Sequence, residues 1–76
     1  MRLKINLTTE SDVRKLIEVA TGVEEDVWLT DSNYNLKVSG KSMLGALYAM
    51  SDWGWNDIFV ESERDLYFQL IDLVAE

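Results

Sequence analysis

The sequence predicts an α+β open-faced sandwich, in which one four-stranded antiparallel sheet carries three helices on one face in the order βαββαβα. Three observations lead there. Stretches with apolar residues at every second position alternate with stretches spaced by three and four. The 76 residues suffice for one domain, residues 1–76, and no second one. The apolar fraction of 47% is that of a globular chain rather than a disordered one.

The elements follow in order. Leu3, Ile5 and Leu7 alternate with Arg2, Lys4 and Asn6, a half-buried first strand. Thr9-Glu10-Ser11-Asp12 has the form of a capping box, with acids at the positive end of a helix. Val13, Leu16, Ile17 and Ala20 lie on one helical face, and Gly22 stands where a left-handed C-cap belongs. Val27-Trp28-Leu29-Thr30 is a second strand. Asp31-Ser32-Asn33 is turn chemistry, and Tyr34, Leu36 and Val38 alternate as a third strand, paired antiparallel with the second.

Ser39 or Ser42 caps a second helix bearing Met43, Leu44, Leu47, Tyr48 and Met50. Gly45 inside it points to close packing or a marginal helix, and Gly54 marks its end. Ile58 and Val60 alternate with Asp57, Phe59 and Glu61 in a fourth strand. Ser62-Glu63-Arg64-Asp65 reads as another capping box, and Leu66, Leu70 and Leu73, with Tyr67, Ile71 and Val74, as the wide apolar stripe of a third helix, about Glu63 to Val74.

Composition excludes several chemistries. The chain has no Cys, so no disulfide, thiolate nucleophile or Cys-type metal site. It has no His, so no imidazole base or ligand and no phosphohistidine. Fourteen acids against seven bases give a net charge of −7, which disfavours nucleic acid and anionic membrane surfaces. No apolar run approaches the roughly 18 residues of a membrane span, and Met1-Arg2-Leu3-Lys4 lacks a signal-peptide core. The expectation is a soluble cytoplasmic protein with no cofactor and no metal. Glu24-Glu25-Asp26 reads as a solvated loop, without the spread ligands and turn glycine of a calcium site. Gly40-Lys41-Ser42 has the tail of a phosphate loop, but the glycine needed five positions earlier is Asn35. So small a domain is expected to have little room for a pocket on the order of several hundred Å³, and none of its carboxylate pairs sits in a catalytic frame.

The element order, together with Val38-Ser39-Gly40-Lys41-Ser42-Met43-Leu44-Gly45-Ala46-Leu47, resembles the histidine-containing phosphocarrier protein (HPr) family of the bacterial sugar phosphotransferase system. That family shows Lys-Ser, two bulky apolar residues and Gly at this point. The resemblance implies that Ser42 is a regulatory serine at the start of the second helix, modified by a dedicated kinase. It also implies that the apolar residues after it dock that kinase and a transcriptional regulator. The family's His-x-Arg-Pro run is missing: Thr8-Thr9-Glu10-Ser11-Asp12 stands in its place. A relay needs a nitrogen nucleophile and nearby positive charge, whereas Thr9 would form a stable ester and Glu10 and Asp12 would repel the phosphate. The chain is therefore expected to be a diverged, non-catalytic regulatory or protein-interaction domain. The alternative is a structural or oligomerising module that keeps only the fold.

Each candidate residue has a plain reading beside the functional one. Ser42 is a helix cap or a phosphorylation site, with Lys41 as pairing partner, and a cap hydroxyl serves both roles. Met43, Leu44 and Leu47 are core or a docking patch, since a short helix cannot bury apolar residues around its whole circumference. Trp53 and Trp55 flank Gly54 as a cover for the core edge or as a binding hot spot. Trp28 and Phe59 fall on the sheet face without helices, a second surface for a partner or another copy.

Overall fold

The alternation at the start of the chain forms β1, Arg2–Ile5, in the computed structural model, which describes residues 1–75. Then come α1 (Glu10–Thr21), β2 (Val27–Thr30), β3 (Lys37–Ser39), α2 (Met43–Asp52) and β4 (Ile58–Ser62). The sheet runs β1-β4-β2-β3, antiparallel throughout, with Leu29 opposite both Val60 and Val38. Side chains alternate across it. Ile5, Leu29, Ile58 and Val60 point to the helices and are fully buried, each worth about 1.5–3 kcal/mol. Against them lie Val13, Leu16 and Ala20 of α1, and Ala46 and Ala49 of α2. The other face carries Arg2, Lys4, Trp28, Thr30, Lys37, Phe59 and Glu61.

Two close approaches set how α2 meets the sheet. A Cβ on Gly40 would stand 2.8 Å from Val27 Cγ1, so only glycine fits beside β2. A Cβ on Gly45 would lie 3.3 Å from the Ser39 carbonyl oxygen, so the start of α2 packs tightly on β3. The mid-helix glycine therefore reflects close packing.

The expected third helix is absent. Among the described residues there are two α-helices, and the stretch after β4 is a series of turns ending in a 3₁₀ turn, Ile71–Leu73. The spacing located the buried side chains only in part: Leu66, Leu70 and Leu73 are in the core, whereas Tyr67 and Ile71 of the same expected stripe are exposed. The backbone took another path because local side chains compete for its amides. Ser62 Oγ accepts from the Arg64 N–H (3.2 Å), and Asp65 Oδ1 accepts from the Tyr67 N–H (2.9 Å). The expected capping box is thus replaced by two tight turns. Farther on, β1 draws the chain into extended pairing: Asn6 N–H donates to Leu73 O (2.8 Å), Ala75 N–H to Lys4 O (3.0 Å), and Val74 sits opposite Ile5.

Two smaller expectations also shift. Gly22 does follow α1, but in the right-handed region (φ −79°). The third strand begins at Lys37 rather than Tyr34, because the Asp31 carboxylate accepts the N–H groups of Asn35 (2.8 Å) and Leu36 (3.1 Å). That gathers residues 31–36 into a closed loop, with Tyr34 at φ 59°.

Candidate functional site

The two helix starts are built differently. At α1, Thr9 Oγ1 accepts from the Asp12 N–H (3.1 Å). Asp12 Oδ2 accepts from the N–H of Thr8 (3.0 Å), the hydroxyl of Thr8 (2.9 Å) and the N–H of Thr9 (3.2 Å). The Thr8 backbone bond is the foremost cause holding the Asp12 carboxyl below its ordinary pKa. The positive end of α1 is thus occupied by the chain's own anion.

At α2 the cap is neutral. Ser42 Oγ accepts from the Gly45 N–H (3.0 Å), and no acid lies in the first turn. Ser42, rather than Ser39, is the cap, while Ser39 O accepts from the Ser42 N–H (3.2 Å) and holds the helix start to β3. Lys41 does not turn toward Ser42. Its Nζ donates to the Val23 (2.8 Å) and Glu24 (3.4 Å) carbonyls, binding the α1–β2 loop to the start of α2.

The apolar candidates divide. Leu44 is 79% exposed, and Met43 is also exposed. Leu47 and Trp53 are half-buried and pack against the core. Trp55 is exposed in the turn after α2, where its carbonyl accepts from the Leu7 N–H (3.2 Å). Its backbone is thus tied to the segment that leads into α1, and Trp55 is not among the residues that line the groove beside Leu44.

Leu44 overhangs an open groove of about 630 Å³ between α2 and the edge strand, with Val38, Ser39, Ser42, Gly45 and Tyr48 as its other walls. The sequence placed Tyr48 on the helical stripe but not at a site. The cue was its position four residues beyond Leu44, one turn along the same face. The Asp52 carboxylate raises the Tyr48 phenol, first as hydrogen-bond acceptor and then by its charge.

On the open sheet face, Trp28 and Phe59 are half-buried and covered by cations. The Arg2 guanidinium lies between Phe59 and Tyr34, 3.9 and 4.2 Å from their ring centroids, and pairs with Glu61 at 3.5 Å. Lys37 Nζ lies 4.4 Å from the Trp28 ring centroid. A second hollow, about 470 Å³, opens beside Trp28 among Glu25, Asp26, Glu61 and Glu63, so the domain does have room for hollows of the size that its length was expected to preclude, both of them open to solvent. Its Glu25 is held below the usual carboxylate range, chiefly by the two-pronged Arg64 pair at 2.8 and 3.0 Å. Among the described residues, no group of three or more acids is placed to hold a metal, and no helix is long and apolar enough to cross a membrane.

The sequence matches no family model and no curated protein. Among solved structures the chain is similar to the crystal structure of HPr-C-His from Thermoanaerobacter tengcongensis, with a TM-score of 0.66. The two are 20% identical over 97% of this chain and 88% of that one. At that identity the likeness is one of fold.

Proposed function

We propose that this chain is a non-catalytic regulatory or protein-interaction domain on an HPr-like fold, docking a protein partner through the start of α2. The observation that carries this reading is Leu44: a leucine 79% exposed, on an apolar groove, two residues from a neutrally capped helix start. Exposed apolar area beside such a groove is a feature of interaction sites. Met43 extends the surface and Tyr48 walls it, while Leu47 supports it from the core side. Trp55 would be a separate contact near α1.

Ser42 is the proposed switch. A phosphate on its oxygen would meet the free amides and positive end of α2 with no carboxylate in the first turn to oppose it. Lys41 serves this site by fixing the loop behind it. At the start of α1, the Asp12 carboxylate takes the Thr8 and Thr9 N–H groups and supplies the negative charge there, and the chain has no His, so phosphohistidine transfer forms no part of the proposal. The partner class is a kinase or transcriptional regulator of the kind that recognises HPr-like surfaces.

Mass spectrometry after incubation with an HPr kinase and ATP tests the switch. One added phosphate, absent from Ser42→Ala, is the expected result. A folded protein that takes up none would leave the structural or oligomerising module as the better reading.

A further inference from the structure

Resting on the docking reading of α2, we infer that the groove's occupant is a short extended segment of another protein, which adds to the free edge of β3 as a fifth strand. Its apolar side chains enter the groove and its acidic side chains lie over Lys37.

The backbone supplies the first part of the argument. β3 ends the sheet, with β2 as its neighbour on one side only. The Gly40 N–H donates to Val27 O (2.7 Å), which makes Gly40 and Val27 a hydrogen-bonded pair. Pairs in an antiparallel ladder alternate, so Val38 bonds inward to Leu29, and the amide groups of Lys37 and Ser39 turn outward. Ser39 O is taken by Ser42. The Lys37 N–H, the Lys37 carbonyl and the Ser39 N–H remain as a row on the bare edge, the arrangement that strand addition uses.

The side chains supply the second part. A strand lying beside β3 presents alternate residues to opposite sides of the sheet. On the helix side they meet Val38, Leu44, Tyr48 and the bare backbone of Gly45. On the open side they meet Lys37, which has no carboxylate partner among the described residues. A lysine on an edge strand usually guards it. Here the Lys37 ammonium is drawn inward onto the Trp28 ring of β2, which leaves the edge clear and keeps a cation without a carboxylate partner on this side of the sheet. An alternating apolar and acidic segment satisfies both sides.

A second copy of the chain fits less well. Each copy carries −7, and a three-residue edge offers far less than the ~1,200–2,000 Å² of a stable interface.

The test titrates the full ¹⁵N-labelled chain with a blocked peptide of alternating Val and Glu, about seven residues long, against one of Val and Lys. The Lys37 and Ser39 amides should shift and gain exchange protection, and the Glu peptide should bind about tenfold more tightly. Lys37→Glu should reverse the preference, and Leu44→Ala should weaken both peptides. No binding at about 1 mM peptide overturns the inference. So does protection of the same amides without peptide that grows with protein concentration, which makes a second copy the occupant. Shifts confined to Met43–Tyr48, with the edge amides unmoved, overturn strand addition but leave α2 docking intact. Failure of the kinase assay bears on the Ser42 switch and is independent of this titration.

Discussion

Ser42→Ala and Ser42→Asp together measure whether the start of α2 welcomes negative charge. Alanine removes the oxygen 3.0 Å from the Gly45 N–H and leaves that amide without its acceptor. Such a loss costs about 1 kcal/mol. For a domain of this size that lowers the melting temperature by about 4–8 °C. Aspartate keeps an acceptor at the cap and places a charge at the positive end of a ten-residue helix whose first turn has no acid. That adds about 0.3–1 kcal/mol at low ionic strength. The two variants should therefore differ by about 1.3–2 kcal/mol, aspartate the more stable. Thermal melts followed by circular dichroism give the difference directly. Repeating them in about 1 M salt should shrink the charge-dependent part and leave the cap-dependent part. If aspartate is less stable than alanine, the helix start repels anions, and the physical basis for a phosphoserine switch there fails.

Other consequences are as direct. Gly40→Ala forces a methyl to 2.8 Å from Val27 Cγ1 and should destabilise by about 1–3 kcal/mol in urea melts, whereas Gly22→Ala, with its nearest contact at 3.4 Å, should cost much less. Leu70→Ala, at a fully buried position, should cost about 2–5 kcal/mol, while Phe68→Ala, 80% exposed, should stay within about 0.5 kcal/mol. The Asp12 pKa is depressed in the folded chain, so its stabilisation is full above the unfolded value, near 3.8, and fades as pH falls through the folded one. Asp12→Asn should therefore be less stable than the parent at pH 7, by a margin that narrows on acidification below about pH 4 in denaturant titrations. Leu44→Ala should leave stability within about 0.5 kcal/mol, because the side chain it shortens is in water.

Where periodicity and cap chemistry agreed, the sequence was enough to locate an element. Thr9 and Asp12 close the box that their spacing foretold, and Ser42 caps α2. Leu66, Leu70 and Leu73 show the limit of periodicity: it grouped these buried side chains with Tyr67 and Ile71, which are exposed, and it missed the path between them. That path was decided by Ser62 and Asp65, whose oxygens close turns, and by the pull of β1 on Val74, which is far away in the sequence. Tyr34 is a similar case, since alternation with Leu36 made it look like strand, while the Asp31 carboxylate made it part of a loop. At the candidate site, the residues left Ser39 and Ser42 both open as caps, and they showed that α2 could not bury all its apolar residues without singling out Leu44 as the most exposed. The groove was not readable from the residues, because it exists only once β3 lies beside α2. Nor was the direction of Lys41, which depends on the carbonyls of a loop 17 and 18 residues earlier.

The C-terminal stretch that left its expected helix has an effect on association. By running along β1 from Lys4 to Asn6, it occupies the sheet margin opposite β3. A sheet with two bare margins can stack neighbours on both sides and grow into fibres. With one margin closed by its own chain, this sheet has a valence of one. Copies of this chain therefore cannot join margin to margin through β1 and β3 in turn, and that route to a filament is closed.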